Sequence, residues 1–340
     1  SEGGMMKKAT VTKKKITVFV LLALLVAAVA IFPLVDSNTY HQLILGEALV
    51  NIIVVLGLNF ITGLTGQMNL GTAGIMALGA YGSVLLRVKV GVPSLLTLLV
   101  AIAFGLIIGL ALGYPSLRLK GVYLSLTTIG FSEVIRLLIA NLVGLTNGTN
   151  GIKDIPPMNL FGLKLTSTRM VIWFYLVLVI LLTFTAWRVV HSKWGRVFKA
   201  VRDNVEAVEA SGVNIASIKI QAFTLAAIYG CIGGCLYAFL VGYVNPSQFT
   251  QDLSANYLLM MMFGGIGSVP GCIIGATTIT VLPELLRFLK SYYWLVFGII
   301  TLLFAIFLPY GVVSLFEHNG PVARGVKKLL AKKEAAHHDD

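Results

Sequence analysis

Long stretches of this chain carry no Asp, Glu, Lys or Arg, among them residues 16–35, 90–117, 170–187, 220–251, 253–283 and 291–316. An uncharged run of about 20 residues matches the thickness of a bilayer core. Inside lipid every backbone N–H and C=O must find a partner within the protein, so only helices and closed β-barrels are admissible. A barrel demands strands of about ten residues with alternating polarity, and these runs are continuously apolar. The sequence therefore predicts an all-α fold, a polytopic transmembrane helix bundle of about 8–10 spans including short or re-entrant segments.

Composition supports this: 57% of residues are hydrophobic and 12% are charged, about half the usual charged share of soluble domains. The net charge of +12 is no sign of nucleic-acid binding, because the basic residues cluster beside apolar runs, where they set orientation. Cys231, Cys235 and Cys272 lie within apolar runs, without the His or carboxylate neighbours a metal site needs. No metal site is expected, and the cysteines read as small packing residues.

Taken in order, residues 1–15 form a basic N-terminus with Lys7, Lys8, Lys13, Lys14 and Lys15, preceded by what reads as a tag remnant ahead of Met5. Residues 16–35 lack a small-residue cleavage site and read as a retained first span. The transmembrane domain extends over 16–310, and a basic tail over 311–340. Spans are expected at about 43–61, 68–86, 92–112, 121–143, 170–187, 217–242 and 292–309. Residues 254–286 are interrupted by GGIGSVPG and read either as two short spans or as a re-entrant pair. With a cytoplasmic start, both termini are expected in the cytoplasm of a bacterial inner membrane.

One long polar segment stands between two of these runs, 194–219, WGRVFKAVRDNVEAVEASGVNIASIK. Phe198, Val201, Val205 and Val208 share one face of a helix, and Gly212 and Asn214 are suited to end it. The spacing predicts a single amphipathic helix over about 195–215 on the cytoplasmic side. Such a helix lies on lipid or fills a groove on a partner, and the residues alone leave both open.

No P-loop sequence and no nucleophile–base arrangement occurs, so enzymatic activity is not expected. Charged and amide side chains within spans are costly and face a bundle interior or cavity. Glu133 and Arg136 are spaced to pair on one helix face, as are Glu284 and Arg287. They read as structural ion pairs or as solute contacts. Asn59, Gln67 and Asn69 flank the break GLTGQMNLG, which reads as a tight turn or as the lining of a pathway. G-x-x-x-G spacings at Gly105–Gly109 and Gly230–Gly234 predict close helix packing. The long external loop 145–169 is a candidate docking surface.

Five stretches together resemble the LivM-type permease subunits of branched-chain amino acid ABC importers: GLNFITGLTGQMNLGTAGIMALGAYG (57–82), GVYLSLTTIGFSEVIRLL (121–138), LTNGTNGI (145–152), GRVFKAVRDNVEAVEASGVNIASIKIQAF (195–223) and FGGIGSVPGCIIGA (263–276). They stand in family order. In ABC importers a cytoplasmic loop carries an E-A-A-x-x-x-G signature that docks on the ATPase. Glu206, Ala207 and Gly212 match it, with Val208 in place of the second Ala. The resemblance implies an ATPase-coupling segment comprising Arg196, Arg202, Asp203, Glu206, Ala207, Glu209 and Gly212. Asn59, Gln67, Asn69, Glu133 and Arg136 remain candidates for the pathway or for polar contacts within the bundle.

The implied machine moves branched-chain or related amino acids inward by alternating access. Its partners would be a homologous LivH-like permease, two cytoplasmic ATPase subunits and an extracytoplasmic solute-binding protein. No cofactor is expected on this chain; ATP and Mg would sit on the ATPase subunits. A urea or short-amide permease of the same family is the alternative, and an ion-coupled secondary transporter using Glu133 and Arg136 is a more distant one.

Overall fold

The computed structural model describes residues 36, 38–119, 121–160, 163–164 and 167–292, with scattered positions at 32–33, 295–296, 298–299, 302 and 311–313. The expected N-terminus 1–15, first span 16–35, last span 292–309 and tail 311–340 lie outside the described residues but for those few positions.

Six helices are long and apolar enough to cross a membrane. α1 (Thr39–Leu58) continues through a π-helical turn, Asn59–Leu64. α2 (Thr72–Leu85) likewise continues to Val90. α3 covers Ser94–Ser116, α4 Val122–Asn141 and α5 Thr168–His191. After the short polar helices α6 (Lys193–Asp203) and α7 (Val205–Ala210) comes α8 (Ile215–Val241). α9 (Gln251–Gly264) and α10 (Val269–Leu285) complete the described bundle. Six of the predicted spans thus appear as helices, displaced by a few residues at their ends. Apart from a two-residue ribbon, Asn159–Leu160 against Leu163–Lys164, the described fold is helical. It is a polytopic helical bundle, and the chain is a multi-pass membrane protein.

α1 and α8 form the centre. Every residue of α1 and its π-turn from Ala48 to Thr65 is buried. α3 approaches α8 along three glycines one turn apart: Gly105, Gly109 and Gly113 face Ile228, Thr224 and Ile220, where a methyl group would strike the α8 backbone. On the other side of α8, Gly230 and Gly234 meet Ile75 and Met76 of α2, and Gly79 of α2 meets Cys231. Dispersion between closely approaching backbones is a main attraction available to helices in lipid. Both predicted G-x-x-x-G spacings serve it. The three cysteines are free and buried, and Cys231 lies in the α2–α8 contact.

The 254–286 region is a helical hairpin turned by residues 265–268. Its two arms are about 21 and 25 Å long at the standard helical rise, short for a ~30 Å core. The turn meets α1 at Asn59, whose Oδ1 accepts from Gly267 N at 2.9 Å. At the other end Glu284 accepts from the Tyr40 hydroxyl at 2.7 Å. α10 therefore lies antiparallel to α1 over nearly its whole length.

Between α1 and α2, residues 66–71 are irregular, with Gln67, Asn69 and Gly71 buried and Gly66 and Met68 exposed. Their backbone is satisfied by neighbouring side chains. Thr62 Oγ1 donates to Gln67 O at 3.0 Å, Ser125 Oγ to Met68 O at 3.1 Å, and Leu70 N donates to Thr128 Oγ1 at 3.1 Å. Ser254 Oγ accepts from Ala73 N at 2.9 Å in the first turn of α2. Irregular backbone at this depth is tolerated only with such cover.

Candidate coupling site

α6 and α7 project from one end of the bundle, between the last turn of α5 and the first of α8. The junction with α5 is tight: Ser192 caps α6, its side chain accepting from Gly195 N, and Gly195 packs so closely on the Val189 and Val190 carbonyls that a larger residue would collide. The sequence predicts one helix here, whereas there are two. Asn204 adopts an extended backbone (φ −157°, ψ 103°) and accepts from Ala207 N with its side chain at 3.0 Å. An Asn side chain competing for the backbone in this way starts a new helix and ends the old one. The predicted stop is in place: Gly212 is left-handed at φ +80° just past α7, and Asn214 caps α8 through Ser217 N at 3.1 Å.

The amphipathic pattern is borne out. Phe198 and Val201 are each 1% exposed, and Val205 and Val208 pack against the same core. The opposite face is open. Arg196, Asp203, Glu206, Ala207, Glu209 and Gly212 are all exposed, so the proposed contact residues of α6 and α7 are open to a partner.

Arg202 behaves differently. It pairs with Asp203 at 3.1 Å, and its Nη1 turns towards the bundle and donates to the Gly63 carbonyl at 3.1 Å. Gly66, at φ +70°, lies against the Arg202 side chain, leaving no room there for a methyl group. Gly63 belongs to the π-turn that begins at Asn59, and Asn59 holds the α9–α10 turn at Gly267. One polar chain thus joins α6, the end of α1 and the tip of the hairpin.

Of the three amides singled out in the sequence, Asn59 and Asn69 serve backbone and Gln67 serves a side chain. Asn59 accepts from Gly267, Gln67 Nε2 donates to Thr65 Oγ1 at 2.9 Å, and Asn69 Oδ1 accepts from Gly71 N at 2.9 Å. Gln67 Oε1 and Thr72 Oγ1, at the mouth of α2, are buried without a partner. Glu133 and Arg136 form the expected pair, closed at two points, with Nε to Oε2 at 2.9 Å. Glu133 remains 45% exposed at mid-helix on the outer side of α4. Sequence reasoning passed over Glu47, a carboxylate within α1. Its signal was present, since it interrupts an otherwise uncharged run from His41 to Leu86.

Comparison with known proteins adds to this geometry. A family model described as "Branched-chain amino acid transport system / permease component" matches residues 41–306. The chain is 34% identical over 331 residues to the high-affinity branched-chain amino acid transport system permease protein LivM of Escherichia coli, covering 91% of this chain and 77% of that one. It is 36% identical over 318 residues to LivM of Salmonella typhimurium, covering 87% and 74%. Similarity extends at 26% over 238 residues to the fructose import permease protein FrcC of Rhizobium meliloti, covering 67% and 65%. No solved structure matches significantly.

Proposed function

We propose, for a chain that belongs to the branched-chain amino acid transport system permease family, that it forms one half of the membrane pathway of an ATP-driven amino acid importer. As a permease component it is not itself an enzyme. ATP and Mg would be held by two separate ATPase subunits, and a homologous second permease would complete the pathway. An extracytoplasmic binding protein would deliver the solute. The basic flanks support a cytoplasmic position for α6, α7 and both termini in a bacterial inner membrane.

The observation that carries this reading is the open polar face of α6 and α7, backed by a wired inner face. An inert interfacial helix needs no link to the bundle beyond its apolar stripe. Here Arg202 reaches the end of α1, and Asn59 passes the contact to the α9–α10 tip. Closure of an ATPase against the outer face would displace three bundle elements together. Such a rigid-body lever is a known means of switching a packed bundle between two arrangements.

Branched-chain amino acids are the proposed solute because the two relatives aligned over most of the chain carry that name. The fructose permease, aligned over a smaller share, shows that related chains serve other solutes. Uptake of leucine against urea by the reconstituted complex decides between the amino acid and short-amide readings. The Glu133–Arg136 pair gives no specific support to ion coupling, since each charge is engaged by the other. The test of the coupling role is charge reversal on the open face, Glu206→Arg with Glu209→Arg. ATP-driven uptake should fall by about tenfold or more, the scale of like-charge juxtaposition at an interface.

A further inference from the structure

α1 is enclosed from Ala48 to Thr65, and Gly46 is packed against Leu240 of α8. Between them Glu47 is exposed. It stands eight residues from the start of α1, about 12 Å along the axis. No hydrogen bond or ion pair reaches its carboxylate among the described residues. A carboxylate turned to hydrocarbon at that depth is strongly disfavoured, so such a group faces water, a cavity or a partner.

Its surroundings are polar and aromatic. Tyr237 of α8 and Tyr257 of α9 lie within electrostatic reach of Glu47, as does Tyr40 at the outer end of α1. Tyr40, Glu47 and Asn51 stand at offsets 0, 7 and 11, on one face of α1. The ends of that row are anchored: Tyr40 donates to Glu284, and Asn51 accepts from Tyr257 at 3.2 Å and donates to Thr280 Oγ1 at 2.9 Å. Among the described residues Glu47 is left unpaired in the middle of a polar row that starts at the outer rim and is faced by α8, α9 and α10.

We infer that Glu47, between Tyr40 and Asn51 on the polar row of α1, is a solute-binding group that receives the ammonium end of the transported amino acid. The inference rests on the amino acid importer reading. An unpaired carboxylate supplies the charge an ammonium requires. A pathway site must be weak enough to release its solute, and a single carboxylate satisfies that better than a closed cage.

The experiment uses the complete complex in proteoliposomes, with L-leucine as the probe. Glu47→Gln should lower ATP-driven leucine uptake about tenfold or more, the loss expected when a charged partner of a bound ion is removed, and Glu47→Asp should recover part of it. Glu47→Cys should react with a membrane-impermeant maleimide from the external side; the three native cysteines are buried and give little background. L-leucine should slow that reaction, while 4-methylpentanoate, which lacks the ammonium, should not. Native uptake by Glu47→Gln, or an unreactive cysteine in a correctly assembled Glu47→Cys complex, overturns the inference. So does equal protection by the two compounds. Should Glu47→Gln not assemble, the maleimide reaction decides alone. A native complex that takes up no amino acid overturns the importer reading and this inference with it, an outcome distinct from any Glu47-specific failure.

Discussion

Arg202 Nη1 donates to the carbonyl of Gly63 at 3.1 Å, across 139 residues of sequence, and this bond ties the polar helix α6 to the end of the central helix α1. The guanidinium is more than a third exposed, so the bond adds only about 1 kcal/mol to stability. Its position matters more than its strength. Arg202→Ala should leave the complex assembled and shift Tm by no more than a few degrees, while raising ATP hydrolysed per solute moved. A variant with native stoichiometry would show that α6 acts on the bundle through its apolar face alone. Arg202→Lys should not restore coupling, because an ammonium cannot hold Asp203 and Gly63 with separate donors as the guanidinium does.

The glycine seam between α3 and α8 gives a contrast in stability. Gly109→Leu places a side chain where the Thr224 backbone already lies. Overpacking of this kind costs about 1–3 kcal/mol or more, and the helices must separate. Gly130, inside α4, has nothing within contact distance of a new methyl group. Gly130→Ala should therefore be neutral or stabilising by up to about 1 kcal/mol through helix propensity. Thermal denaturation in detergent, followed by size-exclusion chromatography, separates the two outcomes.

Glu133 and Arg136 present a charged pair on the open side of α4, within a membrane-crossing helix. Lipid is a poor neighbour for it, and a second permease is a better one. Glu133→Gln should weaken co-purification with the partner permease by leaving Arg136 unpaired. The exchanged pair, Glu133→Arg with Arg136→Glu, should restore much of it. Equal recovery of the partner from the native and Glu133→Gln complexes would place the interface elsewhere.

Asp36 precedes α1 and lies outside the membrane-crossing segments. Its carboxylate accepts from Asn38 N at 2.8 Å and contacts His41 at 2.6 Å. The backbone bond first, and the His41 contact second, hold its pKa below the usual carboxylate range. A carboxyl whose folded pKa is depressed contributes stability above its unfolded pKa and loses it as pH falls through the folded value. Asp36→Asn should therefore be less stable than the native chain near neutral pH, by a small margin for so exposed a group. The difference should vanish as the medium is acidified below the carboxylate range. A difference in Tm that persists unchanged in acid would assign the effect to side-chain packing instead.

How much of this was readable in the sequence depends on the range of the interaction. The spans follow from uncharged runs, and the buried stripe of Phe198, Val201, Val205 and Val208 follows from helical periodicity. Both are local patterns. The helix break at Asn204 is also local, but an Asn amid good helix formers does not announce whether its side chain will capture Ala207 N. The Arg202–Gly63 bond depends on where two distant turns meet, which no local pattern encodes. The same holds for Asn59, whose amide serves Gly267 across 208 residues. The depth of α9 and α10 was left open because helices of 14 and 17 residues suit both a re-entrant pair and a short crossing. The contacts at Tyr40 and Asn59, which lay α10 along α1, join residues far apart in the sequence. Glu47 was visible as a charge in an apolar run, and its significance came from the burial of its neighbours.

The most direct measurement is leucine uptake together with ATP hydrolysis by the complete complex in proteoliposomes, comparing the native chain with Glu206→Arg/Glu209→Arg. If α6 and α7 couple ATPase closure to the bundle, uptake and stimulated hydrolysis should fall together, by about tenfold or more, in a permease whose Tm is unchanged. Uptake that continues at the native rate, with ATP hydrolysis still stimulated by the loaded binding protein, would contradict the coupling role of this surface.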